Sequence, residues 1–271
     1  MTEHYVNPVE LRAAIRRGAF AGQTSGQCPG FVQANLVIVP QEYAAEFAEF
    51  CRRNPRPCPL LEELPAGEFR SRIAADGDLR RDVPRYRVFR NGVADAAEPS
   101  GLESIWRDDL CSFLLGCSFT FEAALTAAGL PVRHCEEGRN VPMYRTSQMC
   151  EPAGRFAGPL VVSMRPYRPE QVEQVVEVTS RFPAMHGAPV HVGDPAAIGI
   201  GDIRRPDFGD TVTLREGEVP VFWACGVTPQ LALAAARPEL AITHSPGCMF
   251  VTDLSDRAFL TVHAFEVEPA R

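Results

Sequence analysis

The sequence predicts an α/β protein with two domains: a larger three-layer α/β domain and a smaller two-layer α/β domain inserted in it. Its length of 271 residues and its hydrophobic content of 45% allow a sizeable core and argue against disorder. A strand–helix–strand pattern near the C-terminus is typical of this class. Near Gly129 the composition changes to short strands separated by Gly and Pro. We therefore predict that residues 1–115 and 217–271 form the larger domain and that residues 116–216 form the insertion.

Charge and targeting patterns narrow the class of protein. The formal net charge is −7, without a basic run, which disfavours nucleic-acid binding. No apolar stretch approaches the ~18 residues of a transmembrane helix, and the N-terminus lacks a signal-peptide pattern. The nine cysteines have no C-x-x-C spacing, as is typical of reduced thiols. We expect a cytoplasmic protein with no nucleic-acid or membrane partner, and a homo-oligomer is one option for its assembly.

The chain contains no lysine, and its 27 basic residues are all arginines. This excludes Schiff-base chemistry, a pyridoxal phosphate lysine and a Walker A loop, since each requires an amine. An anionic substrate must then be held by arginine, by backbone N–H groups or by a metal. Arginine suits carboxylates because its fork binds them bidentately. We predict no cofactor.

The first 115 residues supply the elements of the larger domain. Asn7 caps a helix that ends near Gly18. Prolines between residues 54 and 59 exclude a helix there, and Asn91 followed by Gly92 predicts a hairpin turn. The predicted segments are a helix at 9–17, a strand at 31–39, a helix at 42–52, a strand at 85–90 and a helix at 102–115.

The insertion is predicted to contain short strands and two main helices. Asp194 and Pro195 fit the N-cap and the first position of a further helix. The predicted segments are helices at 118–128 and 169–181 and strands at 141–146, 158–165 and 189–192.

Residues 219–253 predict a strand, a helix and a second strand joined by a right-handed crossover. The strands are 219–225 and 240–243. Thr228 stands where the N-cap of the helix is expected, with Pro229 at the first helical position. In open parallel sheets, ligands bind beyond the carboxyl ends of the strands. We therefore predict a site at the two turns that follow these strands.

Three residues of this unit are candidates for catalysis. His244 lies at a predicted strand end and is a candidate general acid–base. Thr228 begins a helix whose free N–H groups favour an anion, although a simple cap explains it equally well. Cys225 could be a thiolate nucleophile beside a histidine, and the alternative is an inert buried thiol.

Two imidazoles and a carboxylate lie within nine residues, at His186, His191 and Asp194. These groups could bind substrate, supply acid–base catalysis or bind a divalent metal. Their spacing matches no zinc signature, and on a strand the two histidines point to opposite faces. Histidines with a structural role are the alternative, and we predict no metal site.

Arg139, Tyr144, Arg145 and Arg165 lie in or near a polar segment rich in Gly and Pro. The arginines could clamp a carboxylate. A solvated hairpin with exposed ion pairs is the alternative. If these residues bind substrate, they face the predicted unit at 219–253 across a cleft between the domains.

Several motifs together resemble a known family. They are FVQANL at 31–36, RNPRPCP at 53–59, IWRDD at 105–109, EEGRNVPMYRT at 136–146, HGAPVH at 186–191, GDP at 193–195 and FWACGVTPQ at 222–230. In this order they resemble the bacterial "putative hydro-lyase" family, which is similar to part of mitochondrial D-glutamate cyclase. The resemblance runs from about residue 8 to residue 254.

The resemblance implies a two-domain α/β lyase that removes water from a small carboxylate or amino acid. Its cyclase relative implies the conversion of D-glutamate to 5-oxo-D-proline. Such chemistry needs a base and donors for an oxyanion, for which His244, the helix start at Thr228 and an arginine are candidates. Two alternatives stay open: a non-catalytic protein that binds a small acid, and a metal-dependent hydrolase that uses His186, His191 and Asp194.

Overall fold

Two antiparallel β-sheets form the framework of the protein, and a computed structural model describes residues 4–260 of the chain. The strands are β1 Phe31–Pro40, β2 Leu60–Leu64, β3 Tyr86–Arg90, β4 Val93–Ala94, β5 Leu110–Gly116, β6 Met143–Met149, β7 Pro159–Tyr167, β8 His191–Val192, β9 Val219–Ala224, β10 Ala241–His244 and β11 Phe250–Ser255.

Helices connect and cover these strands. The α-helices are α1 Pro8–Arg16, α2 Gln41–Arg53, α3 Glu122–Ala127, α4 Arg133–Glu136, α5 Val172–Ser180 and α6 Thr228–Ala236. Short 3₁₀ helices lie at Ser118–Phe121, Pro169–Gln171, Pro183–Met185, Pro195–Ile198 and Asp256–Phe259. None of the helices between residues 4 and 260 combines the length and the apolar character that a membrane crossing requires.

The larger sheet is built around β1. Its strand order is β2–β5–β1–β10–β3–β4, and β11 also pairs with β1. All but the first residue of β1 are buried, because neighbouring strands and layers cover both of its faces. On one face, Phe47 of α2 packs edge-on against Phe113 of β5, with the ring centroids 4.8 Å apart. On the other face, Leu36 and Ile38 belong to a second apolar cluster. The pairing of Val37 with Thr243 and of Ile38 with Ile242 fixes the register between β1 and β10.

The smaller sheet has the order β6–β7–β9–β8. Trp223 of β9 is fully buried and packs against Phe121 and Tyr167. Its indole N–H donates to Thr179 Oγ1 of α5 at 3.2 Å. This bond and the aromatic contacts attach α5 and the segment before α3 to one face of the sheet.

The predicted crossover unit at 219–253 is wrong. β9 pairs with β7 and β8 in the smaller sheet, whereas β10 pairs with β1 and β3 in the larger one. The crossover rule applies only to parallel strands of one sheet, and every pairing between the described strands is antiparallel. Helix α6 therefore links the two sheets. Apolar runs show that strands are buried but do not show which strand each one pairs with.

The predicted helix at 102–115 is also wrong. Its second half is β5, a strand whose residues are all buried between β1 and β2. A short continuous apolar run fits a buried strand as well as a helix, so periodicity could not separate the two. The chain is closely packed at Gly116, the last residue of β5, where an added Cβ would lie 1.8 Å from Ala184 O.

Local predictions held better than long-range ones. Asn7 caps α1 by accepting a hydrogen bond from the N–H of Val9, and Asp194 caps its 3₁₀ helix by accepting one from Ala196. Asn91 and Gly92 form the turn between β3 and β4. The two-domain α/β class is confirmed.

The domain boundaries at 115 and 217 stay a prediction. The pairing places β9, which the prediction assigned to the larger domain, beside β7 and β8. Residues 1–3 and 261–271 of the predicted larger domain lie outside the described residues.

Candidate functional site

A small cavity lies where the two sheets meet, with a volume of about 20 Å³. Both sheets and their connections contribute to its walls. Its polar or sulfur-bearing lining residues are Asn35, Cys117, Ser118, Met143, His186, Cys225, His244 and Met249. A space of this size holds about one water molecule. The cavity is therefore a small space at which a few polar groups from distant parts of the sequence converge.

His244 ends β10 and is completely buried. The N–H of Leu36, on the neighbouring strand β1, donates to its Nδ1 at 3.1 Å. Leu36 O lies 3.2 Å from the same nitrogen and would require the opposite tautomer. An unpaired buried N–H is rarer than an unpaired carbonyl, so we assign Nδ1 as the acceptor. In the neutral ring the proton then lies on Nε2.

The Nε2 atom of His244 is buried and has no hydrogen-bond partner among residues 4–260. Burial lowers the pKa of His244 from 6.5 to about 4, because a charged imidazolium would lose its hydration. The ring is therefore neutral at pH 7 and presents one unused N–H donor. Buried polar atoms without a partner are uncommon in folded proteins.

His186 reaches the same cavity from the connection between α5 and β8. It has left-handed backbone geometry with φ of 75°, and its Nδ1 lies 2.6 Å from Arg56 O. A carbonyl can only accept, so Nδ1 carries the proton and Nε2 is an acceptor. Burial lowers the pKa of His186 to about 4. The cavity thus contains two neutral histidines with complementary tautomers, one acceptor and one donor.

Ser118 joins this cavity to a buried ion pair. Arg165 donates to Ser118 Oγ at 3.1 Å and to Glu122 Oε1 at 2.6 Å. Burial alone would raise the pKa of Glu122, but the charges of His134 and Arg165 outweigh it and lower that pKa to about 2. Arg165 is therefore committed to Glu122 and orients Ser118. It does not line the cavity as a free substrate clamp.

Close packing fixes the opposite wall at Gly226, between β9 and α6. A Cβ at this position would lie 2.1 Å from Nδ2 of Asn35. The same Asn35 amide donates to Gly116 O at 2.7 Å. Glycine is required here because the Asn35 side chain occupies the space that a larger residue would need.

Thr228 does not cap α6, whereas the predicted anion site at the start of this helix stays a prediction. Val227 is the N-cap residue, and no side chain caps the helix. The N–H of Val161 on β7 donates to Thr228 Oγ1 at 3.0 Å, and the N–H of Thr228 donates to Cys225 O at 3.0 Å. The hydroxyl is used in packing α6 onto β7.

Cys225 lines the cavity as a neutral thiol. Burial raises its pKa to about 11, because a thiolate would be poorly solvated there. Burial also raises the pKa of Cys117 nearby. At pH 7 neither thiol is ionised, so the site offers no thiolate nucleophile.

The remaining predicted binding residues lie away from the cavity. The Tyr144 hydroxyl donates to Ile203 O at 2.6 Å. Arg139 donates to Thr211 O, and Arg145 lies 3.6 Å from Asp207. Both arginines are about half exposed. These residues hold the 200–211 loop and do not line the cavity with His244. Their role in substrate binding stays a prediction.

His191 and Asp194 also lie elsewhere. Nε2 of His191 contacts Asp194 O at 2.7 Å, and the Asp194 carboxylate caps the 3₁₀ helix that follows. They do not form a metal site with His186. Within residues 4–260, three potential ligand atoms come within 4.8 Å of one another at Glu122, His134 and Cys135. Arg165 already neutralises that carboxylate.

Sequence reasoning found His186, Cys225 and His244 but missed Asn35 and Ser118. Asn35 had a usable signal, because it is a polar residue inside the apolar run of β1 and is buried. Ser118 had no such signal in the sequence, because a serine is common at the start of a helix and the segment after it was predicted to be a helix. Its role depends on Arg165, which lies 47 positions further along the chain.

A comparison with known families identifies the family of this chain. The sequence profile of the family described as D-glutamate cyclase matches residues 111–253, more than half of the chain. The chain belongs to this family. The matched segment contains Ser118, His186, Gly226 and His244 of the cavity. Asn35 lies outside it.

Curated relatives extend the similarity over nearly the whole chain. A protein of Rubrobacter xylanophilus is 61% identical over 92% of this chain and 96% of its own. A protein of Stutzerimonas stutzeri is 58% identical over 93% and 95%, and one of Bacillus licheniformis is 58% identical over 94% and 97%. Each of the three is named a "Putative hydro-lyase". Among solved structures, a nitrogen repressor-like protein of Methanococcus jannaschii aligns over 88% of this chain and 92% of its own, at a TM-score of 0.36 and 10% identity.

Proposed function

We propose that this protein is a carbon–oxygen lyase that removes water from a small amino acid or carboxylate, and that it cyclises D-glutamate to 5-oxo-D-proline. The observation that carries the proposal is the buried, unpartnered Nε2–H of His244 in a cavity shared with His186. Membership of the D-glutamate cyclase family and similarity to proteins named hydro-lyases support the same reaction class. The absence of lysine leaves pyridoxal chemistry out of the proposal.

The two histidines would act on opposite ends of the new bond. The reacting form of glutamate has a neutral amine and a protonated γ-carboxyl group, which a proton transfer within the substrate provides without changing its charge. The amine nitrogen bonds to the γ-carboxyl carbon, and Nε2 of His186 accepts the amine proton. His186 returns that proton to the departing hydroxyl group, which leaves as water. The Nε2–H of His244 donates to the other oxygen while it is negative.

The surroundings suit this division of roles. Both rings are neutral at pH 7, since burial lowers the pKa of each to about 4. Backbone contacts with Leu36 and Arg56 hold the two tautomers before substrate arrives. A donor held in place in a water-poor cavity stabilises an oxyanion better than water can. The cavity has room for about one water molecule, so most of the proposed substrate lies outside it.

The test is formation of 5-oxoproline by the purified protein, offered D-glutamate, L-glutamate and small 2-hydroxy acids. We expect turnover of D-glutamate and a fall in kcat of about 10²–10⁴-fold for His186→Gln and for His244→Gln. The matched control is His191→Gln, since that ring lies outside the cavity. If none of these compounds is turned over, the proposal is wrong. Ligand-dependent thermal stabilisation without product would indicate a non-catalytic acid-binding protein.

We also propose that the reaction takes place in the cytoplasm. All nine cysteines are free, and all but Cys135 are buried. Persistent free thiols suit a reducing compartment.

A further inference from the structure

A second pocket lies beside the cavity, separated from it by the turn that follows β10. Its volume is about 370 Å³. Ser245, Pro246 and Cys248 line the pocket, whereas His244 and Gly247 line the cavity. A ligand that reaches from the pocket past this turn would therefore touch both spaces.

Asn140 forms part of the wall between them. Its Nδ2 donates to Pro246 O at 3.0 Å, and a Cβ at Gly247 would lie 2.7 Å from the same nitrogen. Because Nδ2 faces a carbonyl, the amide orientation is settled and Oδ1 is the unused acceptor. Its backbone is fixed by Asp210, whose carboxylate accepts from the N–H of Asn140 at 2.8 Å.

Two buried polar atoms of pocket residues have no hydrogen-bond partner in the described part of the chain. They are Ser245 Oγ and Asn140 Oδ1, on residues that are 3% and 6% exposed. Such atoms cost stability unless something pairs with them. The Ser245 hydroxyl can donate or accept, whereas Asn140 Oδ1 can only accept. Together they suit a ligand that has both an acceptor and a donor.

Among the described residues, the pocket also contains a cation without a counter-charge. Arg87 lies 3.1 Å from Glu98 and 3.3 Å from Gln230, so its guanidinium is already used. Arg85 donates its Nε–H to Ala21 O at 3.2 Å, and it forms no ion pair with any carboxylate in the described part of the chain. A guanidinium that has no carboxylate partner of its own binds the carboxylate of a ligand well.

We propose that this pocket holds the α-carboxylate end of an α-amino acid substrate, the part that stays outside the ring formed in the reaction. Arg85 and the Ser245 hydroxyl bind the α-carboxylate. Asn140 Oδ1, in the wall beside the cavity, accepts one N–H of the α-amine and leaves the other for Nε2 of His186. The α-amine and the side-chain carboxyl group then lie together on the cavity side of the turn, beside His186 and His244. This inference rests on the proposed function for the identity of the reacting end.

The assignment predicts which ligands are recognised. D-Glutamate has the α-carboxylate, the α-amine and the side-chain carboxyl group that the assignment requires. 4-Aminobutyrate lacks the α-carboxylate that Arg85 and Ser245 bind, and glutarate lacks the amine that Asn140 binds. Each missing group leaves a buried site atom unpaired, which weakens binding by about tenfold or more.

The test measures dissociation constants by calorimetry, with D-glutamate, 4-aminobutyrate and glutarate as probes. His244→Gln serves as the background that binds without turnover. On it, we expect Arg85→Gln and Ser245→Ala to weaken D-glutamate binding by about tenfold or more. In the active protein the same changes raise KM more than they lower kcat. Arg90→Gln and Ser180→Ala are the matched controls, since both side chains lie outside the pocket.

The outcomes separate this inference from the proposed function. Binding with the expected dependence on Arg85 and Ser245, but without product, supports the pocket assignment and removes the cyclase. Turnover with an unchanged KM in both variants supports the cyclase and overturns the pocket assignment. Failure of D-glutamate to bind, or equally tight binding of 4-aminobutyrate, overturns the assignment as well.

Discussion

The backbone nitrogen of Leu36 lies 3.1 Å from Nδ1 of His244, across the junction of β1 and β10. The pairing of Val37 with Thr243 places these two residues opposite each other at the end of the ladder. A strand at the centre of the larger sheet therefore sets the orientation of an imidazole in the cavity. The contact also leaves Nε2 as the ring atom without a partner.

Stability should fall as the pH drops from 6.5 towards 4. In the unfolded chain each histidine binds a proton near pH 6.5, whereas burial lowers the pKa of His186 and of His244 in the fold to about 4. The unfolded state binds more protons in this window, so each histidine costs up to about 3 kcal/mol by pH 4. Urea unfolding between pH 7.5 and 4.5 measures this. His244→Gln should flatten the slope, and a wild-type stability that does not change with pH would contradict the assignment.

Gly226→Ala should damage both the fold and the site. The added Cβ would lie 2.1 Å from the Asn35 amide, so either the turn or Asn35 must move. We expect a loss of about 1–3 kcal/mol in the free energy of unfolding, with a larger loss of activity. Gly201→Ala is the control, because no atom lies within 4 Å of its added Cβ. Equal effects of the two changes would show that the Asn35 contact is unimportant.

Removing one partner of the buried Glu122–Arg165 pair should be costly. Their side chains are 5% and 0% exposed, and the closest atoms are 2.6 Å apart. Glu122→Gln would leave the guanidinium buried without its counter-charge, which destabilises by about 3–5 kcal/mol. Asp202→Asn breaks the exposed pair with Arg204 and should leave stability unchanged within the error of a urea titration. A small effect of Glu122→Gln would mean that water reaches Arg165.

Cys225→Ala should retain most of the activity. The pKa of Cys225 is raised to about 11 by burial, so the group is a neutral thiol at pH 7. Its replacement removes packing atoms and no charged nucleophile. We expect kcat to change by less than about tenfold, as for Cys111→Ala, another buried cysteine that lies in the larger sheet. A fall of about 10³-fold in kcat for Cys225→Ala alone would restore the thiol as a candidate nucleophile.

Local signals in the sequence predicted local structure well. The caps at Asn7 and Asp194 and the turn at Asn91 depend on the side chains of neighbouring residues, and each forms as expected. The strand 110–116 shows where such reasoning ends. Its apolar residues suit either a helix or a strand, and the choice was made by β1 and β2 on its two sides.

At the site, too, the sequence identified some residues and could not identify others. His244 could be selected because a histidine at a strand end is visible in sequence. The arginines at 139 and 145 had the right chemistry for a carboxylate, yet they hold a loop through Thr211 and Asp207. Arg85 and Ser245 have that chemistry at the proposed pocket, and no local pattern distinguished them from other polar residues.

By itself, the sequence determined the family, the two-domain α/β class and most element boundaries, because these follow from motifs, composition and contacts between near neighbours. Only the tertiary structure decided that β9 and β10 belong to different sheets and that Asn35, His186 and His244 surround one cavity. Strand partners are selected by burial and hydrogen bonding between segments that can lie more than 200 residues apart along the chain, as for Leu36 and His244. That long-range pairing places the two imidazoles at one cavity.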